Sequence, residues 1–336
     1  MGMNPELLQA PHRRIASGTP SPLFPTSRIV DTRRILRSFG LASPPVLLVR
    51  AVEQALGIAA FERLCARAGV PVANADVRKQ IADLFAAADV RWDASDEARA
   101  SNVSRSGPLI FYANHPYGFA DALIALSIAL QRRADTKVLA NSMLAAFDFP
   151  DAHTLWVDLG SGAGRRCANG RSLRSALRHL RSGGALLIFP SGMCSHLRLP
   201  ECRVTDPPWS PHLLALIDRA QATCVPLYFH GRNSWRFQAL GLIHPVLRTL
   251  LLLREFVELK GRCIRVSIGA PVPWTGPSGG PAERMRELRQ RLYALGSARR
   301  GGAGVGRHAG AYGSTRAVSA GVSEARYRAM PARRRG

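Results

Sequence analysis

The sequence predicts an α/β fold: a largely parallel central sheet flanked by helices, preceded by an amphipathic helical unit and framed by patternless ends. Three observations lead there. Short apolar runs of strand length alternate with helical stretches from about residue 107 to 295. Those runs are apolar on successive residues, as strands buried on both faces are, instead of alternating with polar ones. Gly, Pro and Asn punctuate the boundaries between them.

Taken in order, residues 1–40 carry Pro and Arg without periodicity and read as a disordered leader. In 41–98, Val46, Leu47, Val49, Val52, Leu56, Ile58, Phe61 and Leu64 recur at helical spacing, and a second helix follows at about Val77–Ala87, so this stretch reads as a helical unit. The main domain spans 99–296. Its strands are "GPLIFYAN" (107–114), "TKVLAN" (136–141), "TLWVDL" (154–159), "GALLIFPSG" (184–192), "TCVPLYFHG" (223–231) and "RCIRVSIGAPV" (262–272). Helices fall at Phe119–Arg132, Arg171–Arg181, Pro211–Ala222 and Ala282–Leu295, and "LRTLLLLREF" (247–256) is either a core helix or the edge of an apolar pocket. Residues 297–336 are dominated by Gly, Ala, Ser and Arg, a composition that cannot bury enough apolar surface to order itself.

Charge narrows the partners. Lys and Arg total 46 against 23 Asp and Glu, a net +23. The last forty residues hold nine Arg and one Glu, yet the middle of the chain is basic too. Such a field favours nucleic acid, an anionic membrane surface or an acidic carrier protein. Six cysteines show no CxxC pair and no zinc spacing, which reads as reduced thiols in the cytoplasm and no metal. The N-terminus lacks the apolar region of a secretory signal. No apolar stretch reaches the roughly 18–20 residues of a membrane span. The protein is therefore expected in the cytoplasm, peripheral at the inner membrane face, without a transmembrane segment.

Two segments carry rival chemistry. "WVDLGSGAG" (156–164) fits the glycine-rich turn of S-adenosylmethionine-dependent methyltransferases, where glycines let the backbone approach a nucleoside. Such sites need an acid about 20 residues onward for the ribose, and none lies between Asp158 and Glu201. A Gly-rich surface loop explains it better. In "NHPYGFAD" (114–121), His115 leaves a strand, the chain turns at Gly118, and Asp121 enters the first turn of a helix, whose dipole favours a carboxylate. A neutral His115 can accept a proton from an attacking hydroxyl or amine, and Asp121 can hold its other ring nitrogen. A capping histidine beside a helix-starting aspartate is the plainer alternative.

Four segments line up at strand C-terminal ends, where open α/β sheets gather ligands: "NHPYGFAD", "VDLGSGAGRR", "FPSGMCS" and "VPLYFHGRNS". With them, residues 105–275 resemble the glycerolipid/lysophospholipid acyltransferase superfamily, closest to its hemolysin-like or ornithine-lipid-type branch. The wording "LANSMLAAF", "RSLRSALRHLRSGGALLIFP", "DPPWSPH" and "FHGRNSWRFQALGLIHP" is similar to that branch as well. The resemblance implies an acyltransferase of lipid and phospholipid biosynthesis that moves a fatty acyl group from acyl-ACP or acyl-CoA to a lyso-lipid acceptor, with His115 and Asp121 catalytic and no further cofactor. It implies substrate contacts from Asn114, Gly118, Arg165, Arg166, Phe189, Pro190, Ser191, Gly192, Ser195, Arg232 and Asn233, with Gly192 and its neighbours able to offer N–H groups to an oxyanion. Ser191 and Cys194 stand where the family's common third block has Glu and Arg, residues associated with glycerol phosphate. That departure leaves room for an amino-acid-derived lyso-lipid or another acceptor. Arg171, Arg174, Arg178 and Arg181 fall along one side of their helix, a solvated face or a contact for anionic headgroups or acyl carrier protein. The rival from another class, a basic nucleic-acid-binding protein, lacks any recognition motif.

Overall fold

The computed structural model describes residues 45–70, 76–94, 102–141, 153–157, 163–243, 245–276 and 279–297, without the side chains of 141, 163–168 and 245–246. Three helices come first: α1 (Val46–Ala55), α2 (Ile58–Ala68) and α3 (Val77–Ala88). Gly69, in the left-handed region at φ 63°, stops α2, a conformation cheap only for glycine. Asp76 starts α3 by accepting the Arg78 N–H at 2.8 Å, an N-cap that satisfies an orphan donor.

The helical unit expected over 41–98 contains a strand. β1 (Arg91–Ala94) pairs in parallel with β9 (Cys263–Ile268). Its four residues, RWDA, are too few and too polar for periodicity to reveal. Between these two strands the chain runs β2 (Leu109–Ala113), α4 (Ala120–Arg132), β3 (Lys137–Asn141), β4 (Thr154–Val157), α5 (Ala163–Arg181) and β5 (Ala185–Ile188). A small hairpin follows, β6 (His196–Arg198) and β7 (Arg203–Thr205), then α6 (His212–Ala220) and β8 (Thr223–Phe229). Helices α7 (Trp235–Ile243), α8 (Pro245–Leu250) and α9 (Leu252–Val257) lead to β9, and α10 (Pro281–Ser297) closes the described chain.

The main sheet has the order β1-β9-β8-β2-β5-β3-β4. Every pairing in it is parallel except β8 with β9. That exception has a topological cause. The three helices α7, α8 and α9 leave from the C-terminal end of β8 and return to the same end, so β9 must run back. They therefore stay near the end where the motifs lie.

Each central strand feeds two cores. On β2, Leu109, Phe111 and Ala113 face the front layer of α2, α3, α4 and α9, where Phe61, Phe85, Phe119 and Phe256 meet edge to face. Ile110 and Tyr112 face the back layer of α5, α6 and α10. Burial on both sides is why these strands lack polar alternation. The apolar run at 247–256 breaks into α8 and α9, and Leu253 and Phe256 join the front core. Helix α5 begins eight residues before the expected Arg171, so Ala163 and Gly164 are helical. Residues 158–162 of the glycine-rich turn, 142–147 of "LANSMLAAF", the leader 1–40 and the tail beyond Ser297 lie outside the described residues. Among the described residues no helix is long and apolar enough to cross a membrane.

Candidate active site

The cluster forms at the C-terminal ends of β2, β5 and β8. Asn114, just past β2, is 4% exposed, and its amide acts as an extra rung of the sheet. Its Nδ2 donates to the Phe229 carbonyl at 2.9 Å and its Oδ1 accepts the Phe229 N–H at 2.7 Å. Both ends of the amide are thus committed to the end of β8, and the residue positions the turn instead of facing a substrate.

His115 follows. Its Nδ1 lies 3.1 Å from Asp121 Oδ1, with Asp121 fully buried in the first turn of α4. The other oxygen, Oδ2, accepts the Tyr117 N–H at 2.8 Å. Among the described residues neither Nδ1 nor Oδ1 has another partner. The pair has the distance of a hydrogen bond but not yet its alignment, a looseness common in free enzymes. With Nδ1 turned to the carboxylate, Nε2 is the nitrogen left for chemistry. Phe189, the residue after β5, lays its ring on the imidazole with centroids 4.0 Å apart and a tilt of 30°.

The turn depends on Gly118, at φ 77°, where a side-chain carbon would collide with Cys194 Sγ and Leu252. Tyr117 Oη donates to the His230 carbonyl at 2.9 Å, and Asn233 Nδ2 donates to the Tyr117 carbonyl at 3.3 Å. The first and fourth blocks are thereby tied together. Burial, and then the Asp121 charge, push the Tyr117 hydroxyl up to about 12, so it stays a neutral donor.

The third block is a tight turn. Gly192, at φ 64°, donates its N–H to the Phe189 carbonyl at 2.9 Å, so that N–H is not available to the oxyanion for which it was a candidate. Pro190 accepts the Ser210 N–H at 2.8 Å, and Ser191 Oγ donates to the Met193 carbonyl at 2.8 Å. Ser195 donates its N–H to the His115 carbonyl at 2.8 Å, locking this block to the first.

Sequence reasoning missed the residue that joins these parts. Asp206 is fully buried; its Oδ1 accepts the Ser195 hydroxyl and, at 3.2 Å, the His115 backbone N–H. Its Oδ2 accepts the Trp209 indole N–H at 3.2 Å, and its carbonyl accepts from Arg289 at 2.7 Å. Burial raises the Asp206 pKa, and the hydrogen bonds from Ser195, His115 and Trp209 oppose that rise. Its signal was present in "DPPWSPH", but no local pattern says that an aspartate 91 residues away reaches His115. His115 is therefore held twice, by its ring from the front layer and by its backbone from the back layer.

Three other predicted residues start from elsewhere in the fold. Arg165 and Arg166 lie on α5 after β4, three strand positions from β2, which is about 14 Å across the sheet. Their side chains are not described. Arg232 is exposed beyond the end of β8. Among the described residues no group of three or more His, Cys, Asp or Glu could hold a metal ion.

The cluster thus sets a histidine-carboxylate pair at the strand C-termini of a largely parallel sheet, and among the described residues no serine or cysteine is hydrogen-bonded to the imidazole. The sequence profile of the acyltransferase family matches residues 76–299, which is 224 of the 336 residues, and the chain belongs to that family. This accords with the four blocks and removes the methyltransferase and nucleic-acid readings. Among solved structures, the crystal structure of the 1-acyl-sn-glycerophosphate (LPA) acyltransferase PlsC from Thermotoga maritima is similar at 15% identity, covering 81% of this chain and 88% of that one with a TM-score of 0.39. No curated protein matches the chain.

Proposed function

We propose that this acyltransferase moves a fatty acyl group from an acyl thioester, acyl-ACP or acyl-CoA, to the hydroxyl or amine of a lyso-lipid-like acceptor, with His115 as general base. The observation that carries the proposal is the 3.1 Å approach of His115 Nδ1 to a fully buried Asp121 whose second oxygen is already held by backbone. That arrangement sets one tautomer, with Nδ1 protonated and Nε2 free to take the acceptor's proton. As the acceptor oxygen or nitrogen bonds to the thioester carbon, its proton passes to Nε2 and the carbonyl oxygen becomes an oxyanion. Collapse of that intermediate breaks the C–S bond, and the imidazolium returns its proton to the departing thiolate. Asp121 stabilises the imidazolium while it lasts. A lipid acceptor is supported by the apolar groups left exposed on α1 and α7, namely Leu47, Trp235 and Ile243 at 79, 76 and 73%. Arg171, Arg174, Arg178 and Arg181 on α5 are exposed too and suit anionic headgroups or acyl carrier protein at the inner membrane face.

The test incubates wild-type and His115→Ala protein with labelled acyl-ACP or acyl-CoA and a panel of lyso-lipids, and identifies products by mass spectrometry. One acylated lyso-lipid is expected with the wild type, and its loss with the variant. Full transfer by His115→Ala would overturn the mechanism.

A further inference from the structure

One buried cation on the helices that follow β8 has no counterion among the described residues. Arg248, on α8, is 7% exposed, and among the described residues no carboxylate, carbonyl or hydroxyl pairs with its guanidinium. It lies across α7: a side-chain carbon on Gly241 would come within 3.1 Å of its Cδ and 3.3 Å of its Nη1. Four residues further on, Leu252 and Cys194 Sγ crowd the same spot over Gly118. Arg248 thus precedes by four residues the leucine that packs with Cys194 over the Gly118 turn. Its charge bears on that segment: burial raises the Cys194 thiol pKa and Arg248 opposes the rise, while burial lowers the His196 pKa and Arg248 adds to the fall. Burial also lowers the pKa of Arg248 itself.

Desolvating a guanidinium without a partner is costly, and folded chains almost always supply one. This chain does so for Arg133, the other buried arginine among the described residues, which Asp135 grips through both oxygens. A fork of planar donors with no protein partner among the described residues, its charge felt by Cys194 on the Gly118 turn, fits a ligand oxyanion, a phosphate or carboxylate, better than it fits a packing role. We propose that Arg248 binds the oxyanion of the acceptor and so supplies, from α8, the positive charge that Cys194 does not provide in the third block. The inference rests on the acyl-transfer reading for the identity of the ligand, while the fork requires only that the ligand be anionic.

The experiment measures kcat and KM for acceptors of matched chain length carrying a phosphate, a carboxylate or no charge, with wild-type, Arg248→Gln and Arg248→Lys proteins. Arg248→Gln is expected to raise KM for one of the two anionic acceptors by about 10- to 100-fold, the loss of a charge-assisted pair. The neutral acceptor and the acyl donor should keep their KM values. Whichever anion suffers identifies the headgroup. Arg248→Lys, which keeps a charge in place, should recover part of the loss, and melting curves verify that each variant is folded. An equal rise for the neutral acceptor, a rise in donor KM, or no change with either anion would overturn the proposal. A binding measurement separates this inference from the base mechanism. His115→Ala protein should still bind short-chain lysophosphatidate or its carboxylate analogue by calorimetry, and the His115→Ala/Arg248→Gln double variant should not. Retained binding by the double variant would sink the Arg248 assignment and leave His115 untouched. Retained acyl transfer by His115→Ala would do the reverse.

Discussion

Arg133 and Arg248 are both more than nine-tenths buried, and they lie at opposite ends of the sheet. At the N-terminal end, Arg133 is saturated. Its Nε and Nη2 hold the two oxygens of Asp135 at 2.9 and 2.7 Å, and its Nη1 donates to the Gly107 carbonyl at 2.9 Å. Its Nη2 also donates to the Gly183 carbonyl, so one side chain ties together the segments entering β2 and β5. At the C-terminal end, Arg248 has no such partner among the described residues, and there His115 Nδ1 and Asp121 Oδ1 have only each other. One end of the sheet spends its polar groups on the chain itself. The other keeps polar groups in reserve, which costs stability and leaves them able to act on something else. Mutations at the two ends should accordingly separate stability from activity.

The largest expected effect is at the C-terminal end. His115→Ala should lower turnover by about 10²–10⁴-fold, the usual contribution of a positioned general base, and leave the melting temperature nearly unchanged. Asp121→Asn should lose up to as much turnover through the wrong tautomer, measured in the same acyl-transfer assay. At the N-terminal end the expectation inverts. Arg133→Met strips donors from the Gly107 and Gly183 carbonyls and should cost about 2–4 kcal/mol in a urea titration, with turnover per folded molecule unchanged. Loss of turnover in the folded fraction would erase the contrast between the ends.

Asp206 sharpens the comparison, because it sits at the active end yet is fully partnered. Asp206→Asn should cost about 1–2 kcal/mol and shift kcat more weakly than Asp121→Asn, since it loosens the His115 backbone and not the ring. Its pKa is raised by burial above the unfolded value. The stability it contributes is therefore fully present below the unfolded pKa and fades as pH rises through the folded one. Asp206→Asn removes that fade. The smallest effect belongs to Asp218 on α6, whose pKa is lowered first by hydrogen bonding to Arg284 on α10. There the contribution is present above the unfolded pKa, about 3.9, and is lost as pH falls through the folded value. Asp218→Asn should flatten the acid limb of the stability curve below about pH 4 and leave the neutral limb alone.

How much of this was legible beforehand depended on sequence distance. His115 and Asp121 are six residues apart across one strand-turn-helix junction, and Gly118 between them announces the turn. Local geometry alone brings such residues close. The strands β2, β5 and β8 were equally plain, because burial on both faces requires runs of apolar residues. β1 escaped notice because an edge strand of four residues, half exposed, needs no such run. The hairpin β6–β7 escaped for the same reason, with three residues in each strand.

By itself the sequence determined the α/β alternation, the histidine turn and the aspartate that faces its ring, since helix and strand periodicity and turn chemistry act between near neighbours. Only the tertiary structure decided that Asn114 would be consumed by β8, that Gly192 would close its own turn, and that Asp206 would grip the His115 backbone from the back layer. It also decided that Arg248 would be buried without a partner among the described residues, while Arg171, Arg174, Arg178 and Arg181 of α5 stay in solvent. Hydrogen bonding and desolvation depend on which surfaces meet, and those surfaces come from residues far apart along the chain.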